Sequence, residues 1–173
     1  MFKPRDISYC AVFGAAAMLL PVIFHVFHLG SMFMPMYLPL VTLAFFVGPV
    51  PSAITALLLP LLSGAITGMP PFFPPIAFFM SIELSIMCAI IGITRQFKPK
   101  LNMLFVLIPT LFLGRVLGIG LIYFMALFMK LPAKFVAGAS LLSGWPGIVL
   151  MIIAIPSIIR LSTSVGLYPS SGE

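Results

Sequence analysis

From Met32 to Thr67 the chain carries no charged side chain. A helix crossing ~30 Å of hydrocarbon needs about 20 apolar residues, and fewer where the bilayer thins or neighbours hold it. This block therefore supplies two passes if it turns at Gly48-Pro49-Val50-Pro51, and neither pass belongs in water. The rest of the chain agrees, with 62% hydrophobic residues, 7% charged residues and a mean hydropathy of +1.26. A soluble domain of that composition would expose a very large apolar surface. The 14 glycines and 17 prolines punctuate long apolar runs instead of forming a linker, and packed membrane helices tolerate such breakers. An all-α integral membrane protein is the expected class.

Six helices are expected in one domain covering 1–173, over about 7–24, 32–47, 52–67, 74–93, 101–129 and 141–159, with a frayed polar tail over 162–173. Pro39 and Pro60 are expected to kink or delay the second and third. Lys3 and Arg5 precede the first helix and no small-residue cleavage site follows it, so it reads as a retained helix. Basic residues orient the bundle: Lys3, Arg5, Arg95, Lys98, Lys100 and Arg160 fall on one side, Lys130 and Lys134 on the other. The positive-inside tendency then places both termini in the cytoplasm. It also accounts for the net charge of +6, so nucleic acid is not an expected partner.

The chain holds three acids, Asp6, Glu83 and Glu173, and only Glu83 lies within a helix core. One intramembrane carboxylate cannot assemble the oxygen-rich site of a metal-dependent phosphotransferase. Ser63 and Ser143 each precede a glycine, but both histidines sit at the far end of the first helix, away from any serine nucleophile. His25 and His28 are three apart on one helix end, which does not suit haem between facing helices. Cys10 and Cys88 are isolated within apolar runs, and no phosphate-binding Gly-x-x-x-x-Gly-Lys-Ser/Thr loop occurs. No enzyme, cofactor or metal site is expected. Binding and transport remain.

Glu83 is expected ~13 Å below the outer end of the fourth helix and Arg115 ~21 Å below that of the fifth, at 1.5 Å per residue. A lone charge at that depth costs about 3 to more than 10 kcal/mol, so each needs a partner, a cavity or a solute. An ion pair between them either fixes helix packing or lines a polar pocket, and the sequence leaves both open. Pro70-Pro71 and Pro74-Pro75 flank Phe72-Phe73 in the connection before Glu83. Fixed φ angles and missing N–H donors make that loop stiff, either a lid or part of an aromatic belt. His25 and His28, followed by Met32, Met34, Met36 and Tyr37, form an adaptable outer connection, with the histidines at the interface or against a ligand. Ala11 and Ala15 stand at small-x-x-x-small spacing beside Gly14 and Ala16, and spacing alone favours packing inside the bundle.

Several stretches together resemble the substrate-binding S component of energy-coupling factor (ECF) vitamin transporters: the Ala11-x-x-x-Ala15 strip, "PMYLPL" followed by "FFVGP", "TGMPPFFPP" then "ELS", Gly114-Arg115 followed by Gly118, and "GWPGIVL" with "IP" in the last helix. The resemblance covers nearly the whole chain and lies nearest the pantothenate branch. It implies a compact six-transmembrane-helix bundle in the prokaryotic cytoplasmic membrane, binding a small water-soluble vitamin under outer loops. It also implies a transmembrane coupling subunit facing Ala11 and Ala15, and two ATPase subunits beyond it. The candidate solute-binding residues are Arg115, Glu83, His25, His28, Tyr37, Phe73 and Trp145. The alternatives are an ion-coupled carrier working through Glu83 and a structural small membrane protein.

Overall fold

The computed structural model describes residues 3–27, 33–73, 75–129 and 144–166; the side chains of Met125 and Met129 are left aside. Among these residues the chain is entirely helical. Six α-helices follow one another: α1 (Pro4–Val26), α2 (Tyr37–Phe46), α3 (Pro49–Thr67), α4 (Ile76–Phe97), α5 (Met103–Met129) and α6 (Trp145–Ser164). Five are long and apolar enough to cross a membrane, which makes this a multi-pass helical membrane protein by length and composition. The exception is α2. Its 10 residues span about 15 Å, half of a ~30 Å hydrocarbon core.

Prolines decide most of the boundaries. The expected second helix over 32–47 begins only at Tyr37, because Met34 takes a positive φ of 45° and Pro35 follows it. Pro39 then falls in the first turn of α2, where its absent donor costs nothing. The same logic moves α3 from 52 back to Pro49: Pro49 and Pro51 both sit in its first turn, so the connection from α2 shrinks to Val47-Gly48. At its other end Gly68 caps α3 in the left-handed region, φ 75°. Helix α1 starts at Pro4, not 7, with the Lys3 N–H donating to Asp6 Oδ2 at 3.2 Å. Helix α4 continues past 93 to Phe97. The connection after it is tied by Arg95, whose Nη1 donates to the carbonyls of Pro99 and Leu101 at 3.1 and 3.2 Å. Residues 162–164, expected in the frayed tail, continue α6.

The short helix is the centre of the bundle. Eight of the residues of α2, from Tyr37 to Phe45, are buried, and it packs on α1, α3, α4 and α6. A helix apolar on every face belongs in a core. Its Leu40 and Val41 share one core with Leu84, Met87, Ile91, Leu107, Met151 and Ile155. In lipid, helices associate through close van der Waals approach, so small residues mark the seams. A Cβ on Gly92 of α4 would lie 2.5 Å from Pro49 Cα, and one on Gly14 of α1 would lie 3.2 Å from the Leu59 side chain of α3. The buried hydroxyls are satisfied locally: Thr42, Ser52, Ser81 and Thr110 donate to the carbonyls of Leu38, Gly48, Ala77 and Val106 at 2.6–3.0 Å.

Helix α1 lies at the edge, with only Gly14 and Ala17 buried. The small-residue strip therefore divides. Gly14 turns inward, whereas Ala11 and Ala15 face outward, contrary to the expectation from spacing that the strip packs inside the bundle.

Candidate functional site

Tyr37 opens α2, its N–H donating to the Met34 carbonyl at 2.9 Å. The left-handed turn at Met34 and the prolines on either side set where α2 begins, and so where this phenol stands. Glu83 is the eighth residue of α4, ~10 Å from its start. The Tyr37 hydroxyl donates to Glu83 Oε2 at 2.9 Å, in a bond buried between two helices. Both residues are more than nine-tenths shielded, at 8% and 9% exposure. A second tie runs parallel to it deeper along the same helices, where Cys88 Sγ donates to the Leu40 carbonyl at 3.4 Å.

The third wall is α5. Gly114 and Gly118 are four apart and share a face, and they receive Met87 and Glu83 of α4, also four apart. A Cβ on Gly118 would lie 2.9 Å from Glu83 Oε2 and 3.2 Å from Oε1. Arg115, next to Gly114, is half-buried and sends its guanidinium to the start of α6. A Cβ on Gly144 would lie 2.8 Å from Arg115 Nη1, and the Met34 methyl approaches the same point. Gly144 itself has φ 153°, which favours glycine independently of space. The Tyr37–Glu83 pair thus lies against Gly118, about one turn along α5 from Arg115, whose guanidinium reaches Gly144 and the Met34 side chain at the turn that leads into α2.

The proline loop is anchored on the helices that flank it. The Ser63 hydroxyl donates to the Met69 carbonyl at 2.7 Å, and Thr67 Oγ1 accepts the Met69 N–H at 3.2 Å. A Cβ on Gly64 would lie 2.7 Å from the Pro70 carbonyl oxygen and 3.1 Å from the Phe72 ring. Phe72 meets Phe78 edge-on at 5.6 Å, and the Ala77 N–H donates to the Pro71 carbonyl at 3.1 Å. The loop is folded back on the end of α3 and the start of α4. Pro74 lies outside the described residues.

Of the expected site residues, Tyr37, Glu83 and Arg115 stand together. Trp145 follows Gly144 directly and is half-exposed. Phe73 is 80% exposed and stands apart from this group. His25 is exposed in the last turn of α1, and His28 lies outside the described residues. Sequence reasoning missed Met34, Gly118 and Gly144 as walls of the site. The four-residue spacing of Gly114 and Gly118 was the available signal for one of them.

Chemically, the carboxylate offers acceptors and the guanidinium offers a planar fork of donors, so the cluster can hold a small polar molecule carrying both kinds of group. Comparison with family models, with curated proteins and with solved structures finds no match to this chain.

Proposed function

We propose that this chain is the solute-capturing subunit of an ECF-type importer in the prokaryotic cytoplasmic membrane, with pantothenate the first candidate solute. The reading is carried by the buried Tyr37–Glu83 bond, with Arg115 about one turn along α5 from the glycine that receives Glu83, inside an otherwise apolar bundle. Dehydrating these groups costs several kcal/mol, and a polar solute recovers what internal packing alone does not need. The anchored proline loop supports a stiff outer cover, and the outward Ala11 and Ala15 support close approach of a coupling subunit to α1. In this reading six helices form one bundle with both termini inside, and α2 is held among its neighbours instead of spanning alone. ATP is hydrolysed by two separate partner subunits.

The test has two stages. Thermal-shift screening of the purified chain against water-soluble vitamins is expected to single out one solute, with Arg115→Met and Glu83→Gln folding but losing the response. Reconstitution into proteoliposomes then separates the alternatives. Uptake only with coupling and ATPase subunits present supports this reading, whereas uptake by the isolated chain under an ion gradient makes it a carrier working through Glu83. Absence of any solute response leaves a structural membrane protein.

A further inference from the structure

The α4–α5 seam contains a feature that helix packing alone does not require. At Gly114 the incoming group is the apolar Met87 side chain, whereas four residues on, at Gly118, it is the carboxyl end of Glu83. The space left by the missing Cβ of Gly118 is filled by both carboxylate oxygens, at 2.9 and 3.2 Å from where a Cβ would stand. The atom nearest that point, Oε2, is the one that accepts the Tyr37 hydroxyl at 2.9 Å. Because the obstructing atoms are the far end of a side chain, a methyl there displaces the carboxylate, not the backbone. Gly92 differs, since its neighbour is the Pro49 backbone.

We propose that Gly118 is a positioning residue of the solute site, holding the Glu83 carboxylate against Tyr37 so that it presents an acceptor to a hydroxyl or amide N–H of the solute. The proposal rests on the solute-capture reading for its consequence, and on geometry alone for the placement. The chain contains two glutamates, Glu83 and Glu173, so glutamate isotope-labelled at its side-chain carboxyl carbon marks two groups in the infrared, and Glu83→Gln assigns the bands of one of them. In Gly118→Ala the Glu83 band is expected to shift, and pantothenate affinity to fall about tenfold, the size of one misplaced hydrogen bond. Gly120→Ala, with nothing among the described residues within 4 Å of its added Cβ, is expected to match the wild type in both. An unshifted Glu83 band in folded Gly118→Ala overturns the proposal. Where Gly118→Ala does not fold, Gly118→Ala/Glu83→Ala decides: recovery of folding identifies the carboxylate as the obstructing group, and continued failure overturns the proposal. A wild-type chain that responds to no vitamin fails the solute-capture reading, and the band shift then judges the placement on its own.

Discussion

Tyr37 donates its hydroxyl to Glu83 at 2.9 Å and thereby joins the first residue of the buried short helix to the second turn of α4. This is a side-chain bond between helices, whereas the buried hydroxyls of Thr42, Ser52, Ser81 and Thr110 return to carbonyls within three or four residues of their own chain position. Interhelical hydrogen bonds in membrane bundles are worth about 0.6 kcal/mol on average and up to about 1.7. Tyr37→Phe is therefore expected to lower stability in detergent by about 0.6–1.7 kcal/mol, because it removes the donor and leaves the Glu83 acceptor buried. Reversible denaturation of the purified variant measures this. An unchanged midpoint would mean that Glu83 finds an equivalent donor elsewhere.

Much of this arrangement was legible from the residues. Glu83 and Arg115 declared themselves because charge in hydrocarbon is expensive wherever it lies, and the proline pairs announced a stiff connection before α4. Hydropathy found the helices but misjudged their ends, since an apolar count does not distinguish a proline that stops a helix from one that opens it. The shortness of α2 was hidden for the same reason: its flanks are as apolar as its core, and the break lies in the backbone at Met34. Walls made by what is missing, such as Gly118 and Gly144, stayed hidden, because even the four-residue spacing of Gly114 and Gly118 does not say which group fills the space. The direction of Ala11 and Ala15 depended on which face of α1 meets α3, a tertiary choice that Gly14 and Leu59 make.

The two glycines Gly92 and Gly120 give opposite expectations for one substitution. In Gly92→Ala the new methyl meets the Pro49 backbone, at 2.5 Å from Cα and 2.9 Å from N. Overpacking of that kind costs about 1–3 kcal/mol, since the first turn of α3 has to move. At Gly120 nothing among the described residues lies within 4 Å of an added Cβ, and alanine gains up to about 1 kcal/mol in helix propensity. Thermal denaturation of both variants in one detergent checks the sign as well as the size. Equal melting temperatures would contradict the tight α3–α4 contact.

Ser63 is 1% exposed and holds the proline loop through its bond to the Met69 carbonyl at 2.7 Å. Ser63→Ala leaves that carbonyl without this donor, at a cost of about 1 kcal/mol. The loss is expected to be local, because α3 keeps its backbone bonds and Phe72 keeps its contacts with Gly64 and Phe78. Amide exchange is expected to quicken in residues 69–73 while the core of α2 stays protected. If the loop covers the solute, association and dissociation quicken together with little change in affinity. Uniform loss of protection across the bundle would show instead that Ser63 supports the fold as a whole.

On α1, neighbouring small residues should separate stability from assembly. Gly14 is buried against Leu59, with 3.2 Å between a would-be Cβ and that side chain, so Gly14→Leu is expected to disturb the α1–α3 contact in the isolated chain. Ala11 and Ala15 flank Gly14 around α1 and are exposed. Because both are exposed, Ala11→Trp and Ala15→Trp are expected to keep stability within about 0.5 kcal/mol of the wild type. In the proposed importer the same bulk would stand between α1 and the coupling subunit, where small residues permit the closest approach. Both tryptophan variants are therefore expected to bind solute normally, yet to lose co-purification with the coupling subunit and with it ATP-driven uptake. Unimpaired uptake by both variants would place the coupling contact on another face of the bundle.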